Sequence, residues 1–193
     1  MGPHLTDYGW ITWIDATIAV STSPAALLLE AYGAEAALGE HTFREASELQ
    51  LETFPDHLTF HLQLRQVGDF TVLLESNGWT GSIPEVARRC SVGGHFFSVY
   101  WNQNTDGQLT EAKDGRITAR FNSVTAYYPY EVQFDTRPAW AIGPRPEPGT
   151  DVPLCLAHLE AQTGVAFQQT WLDEQMPTYR IKDPAVAYPS PWV

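Results

Sequence analysis

A chain of 193 residues suits one domain, and its 44% hydrophobic content is enough to bury a core, which excludes global disorder. The formal net charge of −12 repels phosphate groups and anionic lipids, so it disfavours direct nucleic-acid binding and docking to acidic membranes. The two cysteines, Cys90 and Cys155, form no recognisable disulfide framework. With no signal-peptide pattern and no apolar run of membrane-spanning length, the sequence predicts a cytoplasmic protein with free thiols.

The first third of the chain begins with an expected flexible arm at residues 1–9, followed by an apolar first strand. Ser23 and Pro24 then predict a helix start, because serine caps helix N-termini and proline suits the first helical position. Thr42 and Glu45 have the spacing of a capping box and predict the start of a second helix.

The clearest strand signal lies at residues 58–65, where apolar and polar side chains alternate and predict one core face and one polar face. A Gly-Asp turn leads into residues 70–75, which are apolar with few interruptions and predict a central strand covered on both faces. Ser82 and Glu85 again have capping-box spacing and predict a short helix that ends at Cys90.

A three-stranded meander is predicted next, followed by a proline-rich loop at 138–153, a helix, and an extended C-terminal tail at 176–193. The whole chain, residues 1–193, is interpreted as a single domain. The expected fold class is α+β, with a single mostly antiparallel sheet of about five to six strands and helices packed on one face.

The segment that follows the predicted central strand, residues 75–79, carries an acid, an amide and an indole at one end of the sheet. Asparagine and glycine at positions 77 and 78 form a turn signal, because both tolerate positive φ. A ligand pocket at these strand ends would be lined by six residues, which are Glu75, Asn77, Trp79, Trp101, Asn102 and Arg116.

No motif of metal binding, nucleophilic catalysis or nucleotide binding stands out in the chain. We therefore predict no catalytic residues, no metal and no cofactor. His57 and His61 share a face but are roughly 13 Å apart along a strand, too far for one ion. Aromatic residues are numerous around the meander and indicate either core packing or a protein interface, namely Trp79, Tyr100, Trp101, Tyr127, Tyr128, Tyr130 and Trp140.

The chain resembles a family of uncharacterised actinobacterial single-domain proteins with a VLLESNGW-like motif, over roughly residues 10–165. The residues that carry the resemblance are Trp13, residues 72–79, Gly81, residues 84–86, residues 98–102 and residues 114–116. The family has no established function, so the resemblance implies no activity and no catalytic residues.

The predicted function is that of a non-catalytic protein-binding module, an immunity-type or defence-associated partner that acts by protein–protein contact. Its acidic surface would suit a partner with a basic surface. The alternative is a small hydrolase or ligand-binding domain with a pocket at the strand ends around Glu75 to Trp79. A third interpretation is a subunit whose exposed aromatic strand pairs with another chain.

Overall fold

The computed structural model describes residues 8–11, 14–52, 58–103, 107–122 and 151–189. Eight strands form a single sheet in which every neighbouring pair is antiparallel. The strands are β1 (Ala16–Ser21), β2 (Ala34–His41), β3 (Phe60–Val67), β4 (Phe70–Ser76), β5 (His95–Trp101), β6 (Gly107–Lys113), β7 (Arg116–Asn122) and β8 (Met176–Ile181). Their order across the sheet is β2-β8-β3-β4-β1-β5-β6-β7, which confirms β4 as a central strand.

Five α-helices accompany the sheet in the described part of the chain, and most are short. They are α1 (Ala25–Ala31), α2 (Phe43–Leu51), α3 (Pro84–Cys90), α4 (Asp151–Thr163) and α5 (Pro184–Ala187). One hydrophobic cluster joins β1, β4 and β5 to α4 through residues such as Leu156, and we call this side of the sheet the α4 face. The other cluster joins the same strands to α1 and α3 through Leu28 and Val86, and we call it the α3 face.

The predicted fold class was therefore wrong in two respects. The sheet has eight strands rather than five to six, so the protein is mostly β, and helices cover both faces rather than one. The two strands that the sequence did not reveal are β2 and β8, which pair with each other. The residues of β2, AEAALGEH, are largely helix formers, and β8 lies in a proline-containing stretch, so pairing overrides local preference in both.

Strand β3 also differs from its predicted half-polar pattern. Its first five residues are all buried, because α2 covers the side that carries the polar residues. His61, 6% exposed, has Nδ1 3.1 Å from the carbonyl oxygen of Ala46 on α2. The Gln63 side-chain amide donates to the carbonyl oxygen of His41 at 2.7 Å and to Thr178 Oγ1 at 3.1 Å. Hydrogen bonding to neighbouring elements thus replaces the solvent expected on this side.

Of the three predicted helix caps, only one is confirmed. Thr42 and Glu45 form the complete capping box at the start of α2. Ser23 does not cap α1; its hydroxyl donates to the carbonyl oxygen of Cys90 at 2.8 Å. Ser82 does not cap α3 either; its hydroxyl donates to the carbonyl oxygen of Trp79 at 2.7 Å. Ser23 thus connects the end of α3 to the residues before α1, whereas the Ser82 bond lies within the turn before α3.

The chain ends that were expected to be loose are described in part. Residues 1–7, 138–150 and 190–193 lie outside the described residues, so the predicted arm and loop are described only at their margins, whereas the predicted tail is described over residues 176–189. Tyr8 is buried on the α4 face. Within the predicted tail, β8 enters the sheet between β2 and β3. None of the helices in the described ranges combines the length and apolar character that a membrane span requires.

Candidate functional site

The predicted site segment forms a tight reversal at the end of β4. Asn77 follows the strand with φ of +47°, and its backbone N–H donates to the carbonyl oxygen of Asp15 at 2.9 Å. The chain then turns into a short 3-10 helix, Thr80–Ser82, which leads directly into α3. Asparagine suits this position because it tolerates left-handed backbone better than most residues.

The Glu75 side chain points into the space beneath this reversal on the α3 face. Its Oε2 accepts a hydrogen bond from the backbone nitrogen of Thr80 at 3.0 Å, and its Oε1 accepts one from that of Gly81 at 2.8 Å. Glu75 is only 1% exposed. The carboxyl group therefore satisfies two amides of the 3-10 helix that would otherwise lack partners.

Two hydroxyl groups from neighbouring strands hold the same loop from below. Thr17, directly opposite Glu75 across β1 and β4, donates from Oγ1 to the carbonyl oxygen of Gly78 at 2.7 Å. Ser98 on β5 donates from Oγ to the carbonyl oxygen of Gly81 at 2.7 Å. Three adjacent strands thus contribute one polar side chain each to fix one loop backbone.

The loop lies so close to the sheet that two of its residues must be glycine. A Cβ atom on Gly78 would lie 2.6 Å from Cβ of Glu75. A Cβ atom on Gly81 would lie 2.6 Å from Tyr32 Oη and 2.8 Å from Thr17 Cγ2. Neither residue has positive φ, so the requirement is for space and not for backbone conformation.

Tyr32 and Thr80 complete this arrangement, which we call the Glu75 cluster; its members are Thr17, Tyr32, Glu75, Thr80 and Ser98. The Tyr32 hydroxyl is buried and forms no hydrogen bond within the described ranges, and the buried Thr80 hydroxyl lies close enough to Glu75 to favour the charged form of its carboxyl group. The position of a Gly81 Cβ would be 3.3 Å from Glu75 Oε1 as well as 2.6 Å from Tyr32 Oη, so the carboxyl and phenol groups are near neighbours.

Burial controls the ionisation of the cluster. It raises the pKa of Glu75 from 4.5 to about 7, against the opposing effects of the Thr80 hydroxyl and of the Gly81 and Thr80 amides. Burial, reinforced by the charge of Glu75, also raises the pKa of the Tyr32 phenol well above its ordinary value. The cluster therefore contains one group that exchanges a proton near neutral pH. Both oxygens of that carboxyl group already accept hydrogen bonds from the backbone, which indicates a structural role in holding the loop.

The six residues predicted to line a pocket do not converge. Asn77 is exposed, whereas Trp79 is half-buried and packs against the apolar cluster of the α3 face. Trp101 lies on the opposite α4 face, where its Nε1 donates to the carbonyl oxygen of Ile14 at 2.5 Å. Asn102 donates from Nδ2 to Tyr100 Oη at 2.8 Å.

The sixth residue, Arg116, is the most distant. It begins β7 and pairs with Lys113, which in turn pairs with His95, so it lies at the end of the sheet away from Glu75. Sequence reasoning also missed Thr17, Tyr32 and Ser98. A signal for two of them was present, since Thr17 and Ser98 are hydroxyl residues within apolar strands, and buried polar groups need partners.

Comparison with known sequences identifies the family to which the chain belongs. A family model described as Family of unknown function (DUF6461) matches residues 4–136, more than half of the chain. The chain belongs to this family. The searches of curated proteins and of solved structures each gave no match. The expected membership in a family of unknown function is confirmed, whereas the actinobacterial origin and the VLLESNGW-like family motif stay predictions.

The matched range of DUF6461 contains the whole Glu75 cluster but not the whole sheet. Strands β1 to β7 fall within residues 4–136, whereas β8 and α4 follow it in the chain. Because β8 lies between β2 and β3, the sheet in this chain is completed only by residues beyond the family match. The α4 face likewise depends on α4 for its core.

The surface of this DUF6461 chain carries its charge unevenly. Residues 34–52, which we call the acidic segment, comprise β2 and α2 and contain five exposed glutamates against a single arginine, namely Glu35, Glu40, Glu45, Glu48 and Glu52 against Arg44. Strand β2 is the first strand of the sheet. At the other side, α3, β6, β7 and the turn between these strands carry four accessible cations against three carboxylates, namely Arg88, Arg89, Lys113 and Arg116 against Glu85, Glu111 and Asp114.

Metal and thiol chemistry find little support in the described part of the chain. Among those residues, no three His, Cys, Asp or Glu side chains are grouped so that they could hold a metal ion. Cys90 and Cys155 are free and buried, Cys90 on the α3 face and Cys155 on the α4 face. Burial raises the pKa of both thiols far above the ordinary value, which disfavours the nucleophilic thiolate.

The aromatic residues of the meander are tested only in part. Trp101 is buried, and Trp79 and Tyr100 are half-buried. The remaining members, Tyr127, Tyr128, Tyr130 and Trp140, lie outside the described residues. The acidic segment is therefore the better-defined surface feature.

Proposed function

We propose that this DUF6461 chain is a non-catalytic protein-binding module that docks a basic protein surface through its acidic segment. The observation that carries the proposal is the concentration of exposed glutamates on β2 and α2, at one edge of the sheet. An immunity-type or defence-associated role in the cytoplasm is the biological setting that fits such an activity. In that setting, the acidic segment covers the basic surface of a partner and blocks its action.

The distribution of charge supports docking in a preferred orientation. The five exposed glutamates give the β2 edge an excess of negative charge, whereas the accessible charges on and between α3, β6 and β7 are close to balanced. Such a field steers a basic partner towards the β2 edge and raises its association rate, more strongly at low salt. The total charge of −12 strengthens this long-range attraction.

The glutamates of the acidic segment differ in whether they already form an ion pair or hydrogen bond within the protein. Glu35 lies 3.6 Å from Arg180, Glu48 pairs with Arg44 at 3.0 Å, and Glu45 closes the capping box of α2. No ion pair is formed by Glu40 or Glu52 within the described ranges, and both are exposed. These two glutamates are therefore the first candidates for contact with a cationic partner.

The alternative of a small hydrolase or ligand-binding domain draws no support from the strand ends. Glu75 has both carboxyl oxygens engaged by backbone amides and is withdrawn from solvent. Trp101 and Arg116 lie on another face and at another end of the sheet. A binding module therefore fits the described geometry better than a pocket enzyme.

The test uses a charge-removing variant and a matched control. Glu40→Gln with Glu52→Gln removes two negative charges from the acidic segment. Asp69→Asn with Asp114→Asn removes two from exposed turns elsewhere, and asparagine tolerates the positive φ of position 114. Immobilised wild type and both variants are exposed to host-cell extract, and the retained proteins are identified and measured for affinity against salt concentration.

The proposal predicts that a basic protein is retained by wild type and by the control, with affinity that falls as salt rises. We expect the acidic-segment variant to bind it at least fivefold more weakly. The proposal fails if wild type retains nothing specific, or if both double variants bind the partner as tightly as wild type does.

A further inference from the structure

The acidic segment includes one exposed edge of the sheet. Strand β2 stands first in the strand order, at one edge of the sheet, and in the described part of the chain it pairs only with β8. The outer side of this eight-residue strand leaves a row of backbone N–H and C=O groups that no neighbour in the sheet satisfies. All eight β2 residues are exposed or half-buried, whereas every residue of β1, in the middle of the sheet, is buried.

The charges on β2 select what can pair with this edge. Glu35 and Glu40 both lie on the strand, and an identical strand from a second copy would bring like charges together, which is unfavourable across a strand pair. A strand with lysine or arginine at the facing positions would gain from the same charges. The edge thus disfavours self-association and favours a cationic segment from another protein.

The geometry of β2 also limits how much the backbone alone can contribute. Its pairing with β8 shifts between Ala34 and Ala36 and again between Ala37 and Gly39, so Glu35 and Leu38 sit at bulges. The longest run in consecutive register with β8 is the last three residues, from Gly39 to His41. Bulges twist an edge and shorten the stretch available for a new strand. Binding of a further strand must therefore depend on attraction between side-chain charges as well as on a short series of backbone hydrogen bonds.

We propose that β2 is a strand-addition site for a cationic extended segment of a partner protein, which joins the sheet as a ninth strand beside β2. This inference rests on the proposed function and specifies how the partner binds. Backbone hydrogen bonds join the partner segment to the β2 edge, and glutamates of the acidic segment select lysine or arginine. The partner segment is extended, alternates cationic and apolar residues, and lacks proline at its centre.

The experiment compares three eight-residue peptides on the unmodified protein. The first alternates lysine and valine. The second has the same sequence with N-methyl groups on alternate residues, which preserves charge but removes the donors needed for a strand ladder. The third replaces lysine with glutamate. Binding is measured by titration at low ionic strength up to about 1 mM, and amide exchange is followed along the chain.

Strand addition predicts that the lysine peptide binds and slows amide exchange in β2, that N-methylation weakens binding at least fivefold, and that the glutamate peptide does not bind. Equal binding of the methylated and unmethylated peptides, with no protection of β2, overturns strand addition. If Glu40→Gln with Glu52→Gln still weakens both peptides in that case, docking by charge survives alone. Failure of the lysine peptide to bind at 1 mM also overturns strand addition, whereas the extract experiment judges the proposed function separately.

A variant of the protein provides a second measurement. Leu38 has no partner in the β8 register and is 37% exposed, so Leu38→Pro interrupts β2 with a residue that cannot donate, without replacing a residue that pairs with β8. If the variant retains the native circular-dichroism spectrum, we expect it to lose the peptide-induced protection of β2 while keeping the salt-dependent attraction. Unchanged protection of β2 in the folded variant contradicts the proposal.

Discussion

Glu75 Oε1 lies 2.8 Å from the backbone nitrogen of Gly81, six residues later, so the end of β4 is hydrogen-bonded to the 3-10 helix that follows it. This hydrogen bond is buried, and its strength depends on the Glu75 carboxyl group, which titrates near neutral pH. The segment from Glu75 to Gly81 is thus a self-contained unit, in which the end of a strand supplies the acceptor for its own loop. Its stability should respond to pH in a way that exposed carboxylates do not produce.

Stability is expected to fall between about pH 4.5 and 7 because of Glu75. The folded state raises the pKa of this carboxyl from 4.5 to about 7, so in this window the folded protein holds a proton that the unfolded chain has lost. The contribution is fully present below pH 4.5 and is lost as pH rises through 7. A shift of this size corresponds to about 3 kcal/mol in the free energy of unfolding.

The variant Glu75→Gln isolates this contribution. Its amide cannot ionise, and its NH2 group faces a backbone N–H, so we expect it to be less stable than wild type at pH 5 by about 1–3 kcal/mol. Between pH 5 and pH 8 the difference should shrink, since only wild type loses stability through Glu75. Urea unfolding at several pH values measures both proteins. A constant difference across this range would show that Glu75 does not titrate as described.

The Tyr32 hydroxyl is predicted to cost stability rather than to add to it. It is buried and makes no hydrogen bond in the described structure, so Tyr32→Phe should leave the free energy of unfolding unchanged or raise it by about 1 kcal/mol. Tyr188→Phe is the matched control, because Tyr188 Oη donates to the carbonyl oxygen of Ala31 at 2.6 Å. This control should lose about 1 kcal/mol. Equal losses in the two variants, measured by urea unfolding, would mean that Tyr32 has a partner.

Local patterns in the sequence were sufficient for most of the sheet. The hairpin of β3 and β4 and the meander of β5 to β7 follow from alternation and turn residues, because each pairing is between neighbours in the chain. The capping box at Thr42 is equally local. In contrast, β2 and β8 pair across more than 130 residues, and neither has a pattern that reveals a strand on its own.

The site was harder to predict for a related reason. The sequence predicted Glu75 at the end of a central strand, which the structure confirms. The other predicted pocket residues were grouped with it only because they were expected at neighbouring strand ends, without regard to which face of the sheet each side chain occupies. Trp101 fell on the opposite face because one residue of register moves a side chain across the sheet. Tyr32 reaches Glu75 from a helix, and no periodicity in the sequence encodes that contact.

Both cysteines should be unreactive in the folded protein. Cys90 and Cys155 are fully buried free thiols on opposite faces of the sheet, and burial raises the pKa of each far above the ordinary value. An aromatic disulfide reagent at pH 8 should therefore label neither residue until urea unfolds the chain, when both should react. Absorbance of the released thiolate follows the reaction. Rapid labelling of one cysteine in the native state would show that its face of the sheet opens.

Replacing Gly81 should destabilise the fold through a steric clash with Tyr32. In Gly81→Ala the new Cβ would lie 2.6 Å from Tyr32 Oη and 2.8 Å from Thr17 Cγ2, which we expect to cost about 1–3 kcal/mol. Gly9→Ala is the control, because a Cβ there meets nothing within 4 Å.

The clash can be assigned to the hydroxyl by combining substitutions. In a Tyr32→Phe background the 2.6 Å contact disappears while the contact with Thr17 remains, so Gly81→Ala should cost less there than in wild type. A coupling of at least about 0.5 kcal/mol is expected from this double-mutant cycle, measured by urea unfolding at one pH. An identical loss of unfolding free energy in both backgrounds would place the Tyr32 hydroxyl away from Gly81, and Tyr32 would then not belong to the Glu75 cluster.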